Sequence, residues 1–298
     1  MSIAKLNSRG MSALPPEVEA DQELTELRCW FNMLRTLPQF PKLINLYCYN
    51  NHLLGLPPYP ELTDLDCSNN PIERLPPYPK LTELDCGYNQ LTSLPPYPEL
   101  VSFDCANNQL TSLPPYPKLT KLWCRFNLLE ALPSLPELVS LDCANNQLTS
   151  LPPYPELVSL ECDRNQLKSL PPYPELVSLD CDRNQLTSLP PYPELVSLHC
   201  SNNPIEWLPP YPKLTKLWCP FNLLEALPSL PELVSLDCRD NPIEWLPYYP
   251  NLISIDFTGC PVAELMEDPR SVDEYHRLWR VNMERRKKSA RSIATAHS

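Results

Sequence analysis

Histidine is scarce in this 298-residue chain, with only His52, His199, His276 and His297. None recurs beside an acid or a nucleophile in the order that acid–base or covalent catalysis requires. No catalytic residue is expected. Glycine is equally scarce, four residues against 40 prolines, and those prolines fall in register between leucines. Long apolar runs are missing too. The opening stretch MSIAKLNSRGMSALPPEVEA has no apolar core of signal-peptide length, and no segment approaches membrane-spanning length. The expected setting is therefore reducing and intracellular, away from a membrane.

What the chain does have is a fixed period. Cys29, Cys48, Cys67, Cys86, Cys105, Cys124, Cys143, Cys162, Cys181, Cys200, Cys219 and Cys238 stand 19 residues apart. An asparagine follows each cysteine by three residues, from Asn32 to Asn241. Self-similarity at a fixed period marks a solenoid, and one stacked array can have any length. A disulfide framework is rejected, because parallel side chains in a stacked row keep Cβ atoms too far apart. A metal site is rejected as well: a row of thiols without histidine is not a tetrahedral cage. The cysteines read as small apolar filler.

From Leu24 the repeating line is L-x-x-L-x-C-x-x-N-x-L-x-x-L-P-x-x-P, first written by Leu24, Leu27, Cys29, Asn32 and Leu34. It resembles the leucine-rich repeat, with cysteine in the third apolar slot. The L-P-x-x-P form is similar to the short repeats of bacterial secreted effectors and to cysteine-bearing repeats encoded by giant DNA viruses. At 19 residues it is one residue shorter than the shortest usual form. The resemblance implies a leucine-rich-repeat solenoid with a parallel β-sheet on its concave face. Effectors of this type often carry a separate ubiquitin-ligase domain; the segment after the repeats is too short for one.

The residues support the same fold independently. The x-L-x-C segment alternates with the strand period, so Leu and Cys point inward. At about 4.8 Å per strand, thirteen copies make a sheet of about 60 Å. An asparagine amide offers donor and acceptor to the neighbouring turns. The L-P-P-Y-P arms are expected to be extended and polyproline-like, with their tyrosines stacked along the back. Residues 1–23 are read as an irregular N-terminal cap, 24–269 as the array, and 270–298 as a capping helix with a basic tail. Ser271 and Glu274 form a capping-box pattern, and Tyr275, Leu278 and Trp279 share one helical face. In the last copy Phe257 stands where Cys is due and Cys260 where Asn is due.

The concave face is where repeat proteins bind. Its middle row, one residue before each cysteine position, runs Arg28, Tyr47, Asp66, Asp85, Asp104, Trp123, Asp142, Glu161, Asp180, His199, Trp218, Asp237, Asp256. Eight of those thirteen are acidic, and Asp163 and Asp182 thicken the strip at its centre. Stacked like charges destabilise a sheet, whereas an acidic field attracts a basic partner; a solvated face balanced by Arg164 and Arg183 is the plainer reading. Trp123 with Phe126, and Trp218 with Phe221, are expected to share that face, and Trp30 with Phe31 forms a third patch. The two main patches lie five repeats apart, about 24 Å. Lys118–Cys143 and Lys213–Cys238 are near-copies, so block duplication accounts for part of this pattern. The candidate partner-binding residues are Trp123, Arg125, Phe126, Asp142, Glu161, Asp163, Asp180, Asp182, Trp218 and Phe221.

The expected function is a non-enzymatic protein-binding scaffold, without cofactor or metal, for a basic protein or peptide. The alternative is a structural or virion component that self-associates through its C-terminal tail. From Ser271 onward seven Lys or Arg stand against three acids, net +4, so the rest of the −12 chain carries −16. Arg285-Arg286-Lys287-Lys288 suits a helix C-terminus and also reads as an import signal or nucleic-acid contact. Nucleic acid on the array itself is disfavoured, since phosphate would meet carboxylate.

Overall fold

Each 19-residue line contributes one short strand, of three residues from the second line onward, whose central apolar residue points inward. The computed structural model describes residues 2–281. They fall into two units, Met1–Leu167 and Lys168–Ser298.

The first unit holds nine strands: β1 (Ser2–Lys5), β2 (Leu24–Arg28), β3 (Asn45–Tyr47), β4 (Asp64–Asp66), β5 (Glu83–Asp85), β6 (Ser102–Asp104), β7 (Lys121–Trp123), β8 (Ser140–Asp142) and β9 (Ser159–Glu161). They pair in parallel and in chain order, and from β2 onward the register advances by one repeat per strand, as in Leu46 against Leu65 and Leu65 against Leu84. The second unit holds β10 (Ser178–Asp180), β11 (Ser197–His199), β12 (Lys216–Trp218), β13 (Ser235–Asp237) and β14 (Ser254–Asp256), paired in the same way.

Residues 1–23, expected to be irregular, contain β1 and a one-turn helix α1 (Pro16–Glu19). β1 extends the sheet beyond β2, with a register irregularity between Ser2 and Ile3. The cap is thus a divergent coil of the same kind. Its strand is hidden from sequence because it lacks the cysteine and asparagine markers.

The interior is built from three ladders. Leucines and cysteines line the inner face of the sheet, and every cysteine from Cys29 to Cys238 is fully buried and free. Burial pushes the thiols up, Cys29 to about 12, so they stay protonated. That fits filler rather than nucleophile or metal ligand.

The tyrosines of the L-P-P-Y-P arms form the second ladder. Tyr59, Tyr78, Tyr97 and Tyr116 are buried and near-parallel, with centroids 6.2–6.4 Å apart. The Tyr78 hydroxyl donates to the Pro57 carbonyl at 3.2 Å, and Tyr97 to Pro76 at 3.3 Å. Proline supplies carbonyls that no helix consumes, and the tyrosine hydroxyls take them. In the second unit Tyr173, Tyr192 and Tyr211 repeat the stack at 6.3 Å.

The asparagines form the third ladder. Asn51 Nδ2 donates to Cys29 O and to Cys48 O, both at 3.0 Å, while its Oδ1 accepts the Leu34 N–H at 3.0 Å. One amide therefore closes backbone groups on two turns, the role that its donor–acceptor pair predicts.

The residue before each ladder asparagine lies in the left-handed region, with φ of 52–57° from Phe31 to Asp240. Asn and Asp suit that region, yet Phe31, Tyr88, Phe126, Arg164, Arg183 and Phe221 also occupy it.

A 3₁₀ turn (Pro261–Leu265) and a helix over 272–281 close the second unit. Ser271 Oγ caps the helix by accepting the Glu274 N–H at 3.2 Å. Glu274 Oε2 accepts the Asp268 N–H at 3.0 Å rather than that of Ser271, which is taken by the Asp268 carbonyl. Only half of the expected box forms. Tyr275 continues the tyrosine stack, 6.4 Å from Tyr249, and Trp279 packs on Tyr248 at 4.5 Å. The Arg285–Lys288 cluster lies outside the described residues.

Candidate concave binding site

With the leucine of each strand turned inward, the residues on either side of it face the hollow of the sheet. A third row, just after each cysteine, flanks them. In the first unit the middle row, after Arg28, runs Tyr47, Asp66, Asp85, Asp104, Trp123, Asp142, Glu161. Opposite the carboxylates the third row is small: Ser68, Gly87, Ala106 and Ala144. Along the middle row lies a basin of about 620 Å³. It is lined by Asp64, Glu83, Ser102 and Arg125 besides the middle row itself. Seven carboxylates thus meet one guanidinium, with an aromatic ring at each end of the three-aspartate run.

Each aspartate of that run has a structural task that the sequence reading missed. Its Oδ1 accepts the backbone N–H two residues on: Ser68 on Asp66 at 3.1 Å, Gly87 on Asp85 at 3.0 Å, Ala106 on Asp104 at 2.8 Å, and beyond the run Ala144 on Asp142 at 3.1 Å. This is the Asx turn, and it holds the chain as it leaves the sheet. The acidic row is therefore a fold device as well as a field. The signal lay in the D-C-x-x-N spacing, where an aspartate precedes a turn.

Burial raises the carboxyls of Asp66, Asp85, Asp104 and Asp142, against the lowering effect of those N–H bonds. Asp85 and Asp142 reach about 6. Among the described residues no Lys or Arg forms an ion pair with Asp66, Asp85 or Asp104, whereas Arg125 approaches Asp142 at 3.7 Å.

Of the partner-binding residues expected in this unit, Trp123, Arg125, Asp142 and Glu161 line the basin. Asp163 lies beside Arg164 at 3.7 Å. Phe126 is half exposed, at φ 54°, in the turn beyond β7, and does not line the basin that Trp123 walls. Asp66, Asp85 and Asp104, recognised in the row but left out of the candidate set, are at its centre. The N-terminal aromatics form a cluster of their own: Trp30 stacks on Tyr49 at 5.3 Å, and Phe31 meets the same ring edge-on at 5.6 Å.

The second unit places its candidates separately. Asp180 Oδ1 accepts the Asp182 N–H at 3.1 Å, and Asp182 Oδ1 accepts that of Ser201 at 2.5 Å. Trp218 packs against His199 at 4.2 Å, and His199 Nδ1 lies 3.8 Å from Asp180 Oδ2. Phe221 is half exposed at φ 57°. At the end of the row, Arg239 grips Asp237 with Nε at 2.9 Å and Nη2 at 2.7 Å, and reaches Asp256 at 3.7 Å.

The fold has counterparts in solved structures. YopM from Yersinia enterocolitica WA-314 is 33% identical over 87% of this chain, with a TM-score of 0.75. YopM from Yersinia pestis, described as a leucine-rich effector protein, is 31% identical over 84% of this chain and 86% of its own, at a TM-score of 0.60. The chain belongs to the leucine-rich repeat family. A family model for leucine-rich repeats matches residues 60–99 and 98–137. A third leucine-rich repeat structure, the functional domain of InlJ from Listeria monocytogenes, includes a cysteine ladder; it is 25% identical over 81% of this chain and 68% of its own, at a TM-score of 0.66. This chain spans 65% of the length of the Y. enterocolitica protein. No curated protein matches it in sequence. Solenoids of this family commonly mediate protein–protein interaction through extended concave surfaces. No helix among the described residues is long and apolar enough to cross a membrane.

Proposed function

We propose that the chain is a non-enzymatic scaffold that holds an extended, basic segment of a partner protein in the concave basin of its first unit. The observation that carries this reading is the run Asp66–Asp85–Asp104, closed by Tyr47 and Trp123 and without an ion-paired Lys or Arg among the described residues. Half-buried carboxylates in a concave, low-dielectric setting focus their field outward and favour a cationic visitor. The rings at the two ends offer flat apolar contact to the visitor's backbone and side-chain stems. Arg125 at the far end sets a boundary by repelling further positive charge. Asp180, Trp218 and His199 give the second unit a smaller acidic and aromatic patch with the same preference.

The thirteen free, buried thiols suit a reducing compartment. The likeness to an effector protein fits action inside a cell, and the repeat form leaves an effector or a virus-encoded protein as the source.

The test is selection of displayed random peptides on the intact chain and on the triple variant Asp66→Asn/Asp85→Asn/Asp104→Asn. Asparagine keeps the Oδ1 acceptor that closes each turn and removes only the charge. The expected result is enrichment of net-positive peptides on the wild type and none on the variant. Enrichment of neutral or acidic peptides, or the same peptides on both proteins, would sink the proposal.

A further inference from the structure

The geometry points to a guanidinium slot between Asp85 and Asp104, so that the basin reads arginine in preference to lysine. This deepens the basic-partner reading and rests on it.

The chain itself holds the template. Asp237 and Asp256 occupy the same repeat position as Asp85 and Asp104, and there the slot is filled. Arg239 sits two residues after Asp237, binds it through two parallel N–H bonds of 2.9 and 2.7 Å, and lies 3.7 Å from Asp256 on the next strand, which Arg270 also bonds at 3.0 Å. Its backbone N–H bonds the same carboxylate at 3.3 Å. In the first unit the position two residues after Asp85 is Gly87. Its N–H bonds Asp85 in the same way, at 3.0 Å. The side chain that would fill the slot is missing. The carboxylate pair recurs in register; the guanidinium does not.

The surroundings of Gly87 place both carboxylates around the position of the missing side chain. A Cβ built there meets Asp85 Oδ1, Asp104 Oδ1 and Ala106 O, each at 3.4 Å, an ordinary contact. Two carboxylate oxygens therefore stand equidistant from the point where Arg239 begins at the filled site. Burial raises both Asp85 and Asp104, whereas Asp256, also resisted by burial, is lowered by its Thr258 bonds and by Arg270 and Arg239. The empty pair lacks the bound cation that the filled pair has.

Arginine fits this slot for a geometric reason. A planar fork presents two parallel N–H groups to one carboxylate and keeps its delocalised charge near the carboxylate of the next strand, about 4.8 Å away. A lysine ammonium is a point charge and satisfies one carboxylate at a time. The aromatic wall adds to the difference, because a guanidinium stacks on rings. The chain shows that mode as well: the Arg28 guanidinium lies 5.6 Å from the centroid of Tyr47, at the opposite end of the basin from Trp123.

The experiment is calorimetric titration of the intact chain with two blocked peptides that differ only in carrying arginine or lysine at alternate positions. The wild type is expected to bind the arginine peptide about tenfold more tightly. Gly87→Arg places the chain's own guanidinium in the slot and is expected to weaken arginine-peptide binding about tenfold. Gly87→Ala, which adds only the tolerated Cβ, is expected to leave binding within about twofold, and a melting curve on both variants checks the fold. Equal affinity for the two peptides overturns the slot and leaves the basic-partner reading standing. Undiminished binding by a folded Gly87→Arg variant also overturns the slot. Failure of both peptides to bind the wild type overturns the slot and the basic-partner reading together.

Discussion

The Sγ of Cys260 donates to the carbonyl oxygen of Cys238 at 3.1 Å, the bond that Asn241 Nδ2 makes to Cys219 at 2.9 Å one turn earlier. The Asn241 Oδ1 also receives the backbone N–H of Leu224 at 3.1 Å. A thiol thus performs a weak version of the amide's task where the ladder ends. Restoring the amide with Cys260→Asn is expected to stabilise the chain by about 1 kcal/mol, the net worth of one hydrogen bond. Inside the ladder the amide matters more. Asn127→Ala strands the Leu110 N–H and removes donors from Cys105 O and Cys124 O. It is expected to cost about 3 kcal/mol. Denaturant midpoints of the two variants check both values; an Asn127→Ala cost below that of an exposed substitution would contradict the ladder.

The tyrosine stack makes a sharper comparison. Tyr97 OH donates to Pro76, but the buried Tyr116 OH has no partner. Phe103 replaces the usual strand leucine and meets the Tyr116 ring edge-on at 5.4 Å. Tyr97→Phe is expected to cost about 1 kcal/mol, and Tyr116→Phe nothing or a slight gain, because it removes an unsatisfied hydroxyl. Thermal melts of the pair decide it; equal losses would contradict the account.

Tyr88 holds φ 54° and is half exposed. Seven other turns of the period carry Asn, Asp or Gly at this position. A bulky side chain in the left-handed region costs about 1 kcal/mol more than asparagine. Tyr88→Asn is therefore expected to raise the melting temperature. A fall would show that the ring contributes packing that its exposure hides.

Asp85 is raised from 3.8 to about 6 by burial, so between those values the folded chain keeps a proton that the unfolded chain has lost. Its contribution to stability is present at low pH and is lost as pH rises through about 6. Asp85→Asn should consequently be more stable than the wild type near pH 7.5, with the difference shrinking below about pH 6 and closing only below the unfolded value of 3.8. Binding runs the other way: protonating Asp85 and Asp142 removes the charge that attracts a cation, so affinity for a basic peptide falls as the pH drops over the same range. Melts and titrations at both pH values test the two signs; a stability difference that widens toward acid would contradict the burial argument.

Much of the fold was legible because its markers are strict. Cysteine and asparagine at 19-residue spacing gave strands, turns and register together, and proline explained the lack of helix in the arms. β1 escaped because Ser2–Lys5 carries neither marker. The site was less legible. Its middle row could be read off the period, but the basin along it also takes Asp64, Glu83 and Ser102 from the row before each strand leucine. Those positions vary from repeat to repeat and give no periodic signal. The double duty of the aspartates was hidden for a related reason: a carboxylate that closes a turn and one that faces a partner are the same residue in the same place.

The central claim is that charge on Asp66, Asp85 and Asp104 captures a basic segment while their oxygens hold the turns. It is tested most directly by titrating one basic peptide into the wild type and the triple asparagine variant at the same ionic strength, with melting curves alongside. The account predicts affinity weaker by about tenfold or more in the variant, with a melting temperature no lower than that of the wild type. Equal affinity in a folded variant would contradict it.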